Sequence, residues 1–154
     1  MECRVLMPGL RHILLLTAAF VLLPCNARAE RQVVLVTGDS CPVREVSSLD
    51  VRKAYLGVTV SVDGRRLRPI RLIGDEMLSS IFYQSVVHMS RKSYERRALS
   101  LALKYGTPRL EMVDSVDDAA QAVRGRECGV VYMWKDDVDR LSGIKTVRLL
   151  WQGE

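Results

Sequence analysis

Two nearly continuous apolar runs are the most regular feature of this chain, and they predict its central strands. Residues 32–37 are mostly β-branched and stop at Gly38, and residues 128–133 form a second run of the same kind. Apolar character without alternation is typical of strands that are covered on both faces, as in α/β sheets. A third apolar segment, residues 146–150, predicts a last strand.

An alternating segment predicts a β-hairpin. Residues 58–62 alternate between apolar and polar side chains and lead into Asp63-Gly64, a dipeptide typical of tight hairpin turns because both turn positions need a positive φ. The return strand is predicted over residues 67–73. Pro69 indicates an edge position or an irregular start for that strand, because proline donates no hydrogen bond to a sheet.

Serine and acidic residues at a fixed spacing predict where helices begin. Ser47 precedes Asp50 by three positions, and Ser115 precedes Asp118 by three, which is the arrangement of a capping box. Gly57 after the first helix is typical of a left-handed C-terminal cap. The predicted helices run from Ser47 to Gly57, from about residue 76 to 88, from Ser90 to Gly106, from Ser115 to Gly125 and from residue 136 to 141. This order of strands and helices predicts an α/β sheet layered by helices.

The first 29 residues have the pattern of a secretory signal. Arg11 and His12 precede an apolar run over residues 13–23, and Ala27-Arg28-Ala29 offers the small residues that signal peptidase accepts. The run is about half as long as the ~20 residues that a membrane-spanning helix needs. We therefore predict a cleaved signal peptide over residues 1–29, with no stable membrane insertion after cleavage.

The predicted exported part, residues 30–154, has the ordinary size of one domain. The whole chain has 23 Lys and Arg and 18 Asp and Glu residues, and three arginines and one glutamate lie in residues 1–29. The net charge of the exported part is therefore about +3. A modest charge with basic residues spread along the chain is typical of a solvated surface, so no binding to nucleic acid is predicted.

The cysteines leave alternatives open. Export would place Cys41 and Cys128 in an oxidising compartment, where a disulfide between them can persist. Two free thiols are the other interpretation, because the sequence does not show whether the two Cα atoms lie within reach. Cys25, which follows Leu22-Leu23-Pro24, leaves lipid attachment open as an alternative to cleavage. No Cys-x-x-Cys pair occurs, so neither a zinc site nor a thioredoxin-type motif is predicted.

A set of short motifs follows a fixed order over most of residues 32–135. They are Ser48-Leu49, Tyr55-Leu56-Gly57, Asp63-Gly64, Pro69-Ile70, residues 82–86, Met89-Ser90, Tyr94, Gly106-x-Pro108, Ser115, Ala122-Val123 and residues 129–132. In this order and spacing the chain resembles the small stand-alone members of the periplasmic-binding-protein-like family, often labelled phosphate ABC transporter substrate-binding proteins. The resemblance implies one lobe of a type II periplasmic-binding-protein-like fold, a mixed sheet flanked by helices, and a periplasmic location.

The ligand residues of that family are largely missing here. Its phosphate binders place Ser-Gly-Thr at the start of the helix after the hairpin strand, where this chain has Glu76-Met77-Leu78 preceded by Asp75. The exposed N–H groups and the positive dipole end of a helix attract anions, but two carboxylates in the first turn would repel phosphate. The family's basic residue near that helix start is also missing, with Ser79 close to its place. A phosphate site of the usual kind is therefore not expected.

The remaining candidate site is expected beyond the carboxyl ends of the strands, where open α/β sheets bind ligands. The loop after the first strand, the helix start at residue 115 and the end of the strand at residues 128–133 would meet there. The candidate ligand-binding residues are Ser40, Arg44, Ser47, Ser48, Ser115 and Tyr132. The alternative roles are helix capping for Ser47, Ser48 and Ser115 and a place at the rim of the core for Tyr132.

Four arginines crowd the predicted return strand. Arg65, Arg66, Arg68 and Arg71 look like one basic stripe, but the alternation of side chains along a strand divides them between its two faces. We therefore predict a solvated sheet edge, where cationic side chains also discourage pairing with other chains.

No enzymatic activity is predicted. His88 is the one histidine after residue 29, and no Gly-x-Ser-x-Gly, His-Glu-x-x-His or Gly-rich phosphate motif occurs. A Cys41–His88 dyad has no local support in the sequence. With the resemblance, this predicts a solute-binding-like protein without cofactor or metal that binds a small anion or another small solute reversibly. The alternative is an interaction or sensory accessory module of the bacterial envelope, without a ligand and with a membrane protein as its partner.

Overall fold

The computed structural model describes residues 30–153. The strands are β1 (Arg31–Gly38), β2 (Ser61–Val62), β3 (Arg65–Arg66), β4 (Arg68–Leu72), β5 (Glu111–Val113), β6 (Gly129–Trp134) and β7 (Ile144–Gly153). The α-helices are α1 (Ser48–Tyr55), α2 (Glu76–Ile81), α3 (Arg91–Tyr105), α4 (Val116–Arg124) and α5 (Lys135–Val138), and a π-helix (Phe82–Val86) continues directly from α2.

Five strands form one mixed sheet in the order β5-β4-β6-β1-β7. β4 pairs in parallel with β5 and β6, whereas β1 pairs antiparallel with β6 and β7. β6 is buried at every residue and β1 is buried from Val33 onward, in agreement with their unbroken apolar sequences. The predicted mixed α/β sheet flanked by helices is confirmed.

The predicted hairpin is shorter than expected, and its return strand has a different place. Asp63 and Gly64 have positive φ, as predicted for the turn, but β2 and β3 pair over only two residues each. The chain then enters the main sheet as β4, which lies between β5 and β6, so the prediction of an edge strand was wrong. Pro69 is tolerated there because β5 pairs with β4 only from Ile70 onward. β5 itself was not predicted.

Side-chain caps start the four longer helical segments. Ser47, Ser90 and Ser115 accept a hydrogen bond from the third residue that follows each of them, and Asp75 does the same for Leu78. Gly106 ends α3 in the left-handed conformation with a φ of 63°. The helix predicted from residue 76 to 88 is instead the short α2 and the π-helix.

An aromatic cluster fills the core between the sheet and the helices. Phe82 stacks on Tyr132 with ring centroids 4.4 Å apart, and Tyr55 meets both rings edge-on. The buried hydroxyls are satisfied by backbone carbonyls, since Tyr132 donates to Leu72 at 2.9 Å and Tyr55 donates to Ile70 at 3.0 Å. The cluster therefore joins the π-helix to β4 and β6.

Cys41 and Cys128 form a disulfide. Both cysteines are buried, and their Cα atoms lie 5.0 Å apart. The bond ties the loop after β1 to the residue that precedes β6, so it spans 87 residues of sequence.

The predicted signal peptide, its cleavage site and Cys25 lie outside the described residues. Within residues 30–153, no helix has both the length and the apolar character that crossing a membrane requires.

Candidate functional site

The direction of β1 separates the parts of the predicted pocket. Val33 pairs with Trp134 and Thr37 pairs with Val130, so β1 and β6 run in opposite directions. The loop after β1 and the carboxyl end of β6 therefore lie at opposite ends of the sheet. The prediction of one pocket built from the loop after β1 and the end of β6 was wrong, because only parallel strands bring their carboxyl ends to the same end of a sheet.

Four of the predicted ligand residues lie on the loop after β1 and at the start of α1. Ser40 and Arg44 are exposed. Ser47 is the N-cap: its Oγ accepts from the Asp50 N–H at 3.1 Å and donates to the Asp50 carboxylate at 2.7 Å. Ser48 is the first helical residue, and its Oγ accepts a hydrogen bond from the Arg148 guanidinium at 3.0 Å.

Ser115 and Tyr132 lie on other elements, and of these two only Ser115 is exposed. Ser115 caps α4, and its Oγ both accepts from the Asp118 N–H and donates to the Asp118 carboxylate. Tyr132 is fully buried and its hydroxyl is used by Leu72. The interpretation of Tyr132 as a binding residue was wrong, because a residue at an inner position of a covered strand has no exposed surface.

The carboxyl ends of the parallel strands β4, β5 and β6 meet at one end of the sheet, where Asp75 places a carboxylate. Asp75 caps α2 by accepting from the Leu78 N–H at 2.9 Å, and its second oxygen accepts from the Trp134 indole at 2.8 Å. Burial alone would raise the pKa of Asp75, but these hydrogen bonds and the nearby Arg31 outweigh it and hold the pKa below its usual value. Asp75 therefore places a negative charge at this helix start, and the absence of a phosphate site there stays a prediction.

A cleft of about 1000 Å³ opens beside the carboxyl ends of β4 and β5. Its sides are α2, the π-helix, the segment from residue 88 to 90 and the first two turns of α3. The polar residues that line the cleft include Arg71, Ser79, Tyr83, Gln84, Arg91 and Glu95. His88, whose φ is 53°, also lines the cleft where the π-helix gives way to α3.

Arg71 lies at the wall of the cleft with only 7% of its side chain exposed. Its guanidinium lies 3.0 Å from the Glu95 carboxylate, donates to the Tyr83 hydroxyl, and lies 4.8 Å from the centre of the Tyr94 ring. Within the described residues its Nε atom is buried without a hydrogen-bond partner. The prediction of a solvated edge was wrong for Arg71, although Arg65, Arg66 and Arg68 are exposed.

The protonation states favour a fixed positive charge in the cleft. Burial lowers the pKa of Arg71, but Tyr94, Tyr83 and Glu95 outweigh it and raise that pKa above its usual value. Burial raises the pKa of Tyr94 to about 12 and also raises the pKa of Tyr83. At neutral pH, Arg71 is therefore a cation and both phenols are neutral hydrogen-bond donors.

The cleft has the chemistry of a binding site. A buried guanidinium and neutral hydroxyl and amide groups provide donors, while Ile73, Met89 and Met112 supply apolar surface. Among residues 30–153, no group of three or more His, Cys, Asp and Glu side chains is placed to hold a metal ion.

The sequence did not point to this cleft because its residues come from distant elements. Arg71 lies on β4, Tyr83 on the π-helix and Glu95 on α3. The one available signal was that Arg71 lies between Ile70 and Leu72 on a strand of mostly apolar positions. An arginine there is buried only if helices cover that face of the sheet, and the sequence placed the strand at an edge.

No protein-family model and no curated protein matches this chain. Solved structures do resemble it. An ABC-type phosphate transport receptor from Vibrio cholerae aligns over 77% of the chain with a TM-score of 0.56 and 12% identity. A protein described as a phosphate ABC transporter substrate-binding protein with bound phosphate, from Clostridium perfringens, aligns over 77% with a TM-score of 0.56 and 14% identity. PstS from Borrelia burgdorferi aligns over 77% with a TM-score of 0.54 and 8% identity.

These likenesses show the fold. The chain covers 46%, 45% and 47% of the three structures, so it spans less than half of their length, as one lobe of a larger binding protein would. The resemblance to periplasmic binding proteins is confirmed at the level of fold. A likeness at 8–14% identity shows the fold alone, so the expectation that this chain is not an enzyme stays a prediction.

Proposed function

We propose that this chain is an exported solute-binding-like protein that holds a small anion reversibly in the cleft beside Arg71. The observation that carries the proposal is the buried guanidinium of Arg71 at the wall of a cleft of about 1000 Å³. The guanidinium is paired with the half-exposed carboxylate of Glu95, and its charge-assisted hydrogen bonds are among the stronger interactions available to an anion that competes for it. The candidate site thus moves from the serines at helix starts to Arg71.

The helix starts are poor alternatives for the anion. Ser47 and Ser115 use their hydroxyls for their own caps, and each cap is followed by a carboxylate at the third position. Asp75 brings a third carboxylate to the start of α2. The cleft provides the one buried cation among the described residues that lies beside an open volume.

Titration calorimetry tests the anion site. The full chain would be expressed in a bacterium and purified from the periplasmic extract, which also tests export and removal of residues 1–29. Phosphate, sulfate and small organic carboxylates would be titrated into the wild type and into Arg71→Gln. Hydrogen bonds to a charged group contribute about 1.5–3 kcal/mol, so we expect binding to weaken by about 10- to 100-fold in the variant.

Arg66→Gln is the matched control, because Arg66 is an exposed arginine of the hairpin outside the cleft. This variant should bind as the wild type does. Equal affinity in wild type and Arg71→Gln, with both folded by circular dichroism, would contradict the proposed site. Protein retained in the cytoplasm with residues 1–29 attached would contradict export to the periplasm.

A second function is favoured by the exposed surface of α3. Tyr94 is its one buried residue, while Leu103 and Tyr105 are 77% and 75% exposed and Leu99 is 44% exposed. Arg96, Arg97 and Lys104 are exposed on the same helix. A partner with an acidic rim and an apolar groove would match this surface, and an envelope membrane protein with such a domain is the occupant we propose.

Cross-linking in intact cells distinguishes the two functions. A photoreactive side chain at position 103 should link the protein to one membrane protein if α3 is a docking surface, and Leu103→Glu should abolish the link. A reactive group at the exposed position 66 is the control. Absence of any link at position 103, together with anion binding at Arg71, would leave solute binding as the function.

A further inference from the structure

The carboxylate of Glu95 binds Arg71 in the way an anionic ligand would. Its Oε1 atom lies 3.0 Å from Nη1 of Arg71 and accepts a hydrogen bond from the Tyr83 hydroxyl at 3.3 Å. The Tyr83 hydroxyl in turn accepts from Nη2 of Arg71. A single carboxylate is therefore held by a guanidinium and a phenol, the two donors that the proposed anion site offers.

The two partners differ in how firmly they are placed. Arg71 projects from β4, a strand inside the sheet, and 7% of its side chain is exposed. Glu95 projects from α3, and 49% of its side chain is exposed. Arg71 is further held by the Tyr83 hydroxyl and by the ring of Tyr94. Glu95 is therefore the partner that can move into solvent, whereas the guanidinium stays in place.

A buried guanidinium cannot lose its carboxylate without a replacement, because an unpaired buried charge is strongly unfavourable. Any ligand that reaches Arg71 must therefore bring a negative group of similar size as Glu95 leaves. Glu95 thus reports on the chemistry that this position accepts, namely one planar carboxylate beside one guanidinium and one phenol.

The charges of the cleft disfavour a more highly charged ligand. A displaced Glu95 remains at the rim, and Glu76 is a second carboxylate of the same cleft. Arg91 is exposed, so its charge is screened more strongly than that of Arg71. Ile73, Met89 and Met112 line part of the wall, among polar residues, with apolar surface that suits a carbon skeleton and gives no hydrogen bond to a phosphate oxygen.

We infer that the ligand of this cleft is a small organic carboxylate, which takes the place of the Glu95 side chain on Arg71. The inference rests on the proposed function and adds the class of ligand and its internal competitor. Glu95 lowers the apparent affinity, because only the fraction of molecules with Glu95 displaced is competent to bind.

The test compares wild type with Glu95→Gln and Glu95→Asp in the full chain purified from the periplasmic extract. Butyrate and phosphate are titrated into each by calorimetry. Removing the competing charge should tighten butyrate binding by about tenfold in Glu95→Gln, with a smaller gain in Glu95→Asp, whose carboxylate is one methylene further from Arg71. Glu76→Gln is the matched control, because Glu76 lines the same cleft, and its gain should be clearly smaller.

The outcomes separate this inference from the proposed function. The inference is supported if Glu95→Gln binds butyrate more tightly than the wild type does and if phosphate binds more weakly than butyrate in every protein tested. Butyrate binding that is unchanged or weakened in both Glu95 variants overturns the role of Glu95 as competitor. Binding of phosphate but not of butyrate overturns the ligand class and leaves the proposed anion site standing. If no anion binds to any of the folded variants, the proposed function itself fails.

Discussion

The hydroxyl of Tyr94 donates a 2.7 Å hydrogen bond to the main-chain carbonyl of Tyr55. Tyr94 is the only buried residue of α3, so this contact is one of the attachments of the helix to the core. The same ring lies against the guanidinium of Arg71. The position of α3, and with it the position of Glu95 over the cleft, therefore depends on Tyr94.

Tyr94→Phe should destabilise the protein by about 1–3 kcal/mol, because it leaves the buried carbonyl of Tyr55 without its partner. The ring and most of its packing are kept. Urea unfolding followed by circular dichroism measures the loss. Tyr105→Phe is the control, since Tyr105 is 75% exposed on the same helix and should lose almost nothing. Equal midpoints for the two variants would contradict the role of Tyr94.

The first turn of α1 gives a prediction about two adjacent serines. Ser47→Ala removes the N-cap and should cost about 1 kcal/mol of unfolding free energy. Ser48→Ala removes an exposed hydrogen bond with Arg148 and should cost only a few tenths of that. Chemical denaturation of both variants measures the difference. A larger loss for Ser48→Ala than for Ser47→Ala would show that the helix begins one residue later.

Local patterns predicted the local structure well. The apolar runs predicted β1 and β6, and the serines at the start of α1 and α4 predicted their caps. These features follow from the properties of a few neighbouring residues. They need no knowledge of the rest of the chain.

Strand direction and burial of charge could not be predicted in this way. A strand covered on both faces has the same composition whether its neighbour is parallel or antiparallel, so the sequence of β1 did not show that β6 runs against it. Arg71 is buried because Tyr83, Tyr94 and Glu95 converge on it from other elements. The proposed site was therefore missed, while its supporting elements were largely found.

The disulfide gives a prediction about stability. The Cys41–Cys128 bond closes a loop of 87 residues, and a bond over a loop of that length contributes about 4 kcal/mol when it restricts the unfolded chain. Cys41→Ala/Cys128→Ala should lose about that much unfolding free energy in urea. Wild type with a reducing agent should show the same loss, and the double variant should not respond to reduction. Two thiols that react in the denatured, unreduced protein from the periplasm would contradict the bond.

The last prediction concerns acid and Asp75. The pKa of Asp75 is held below its ordinary value of 3.8 in the folded protein, so its charge contributes stability above that value and loses it as the pH falls through the lower, folded-state pKa. Asp75→Asn removes the titration, although its amide oxygen can still cap α2. At about pH 6 the wild type should therefore unfold at a higher urea concentration than Asp75→Asn, and this difference should shrink toward about pH 2.

Trp134→Phe removes the indole donor to Asp75, so the stability of this variant to urea should depend less on pH than that of the wild type. A gap between wild type and Asp75→Asn that stays constant over this range would show that the Asp75 carboxylate has the same pKa in the folded and unfolded chains.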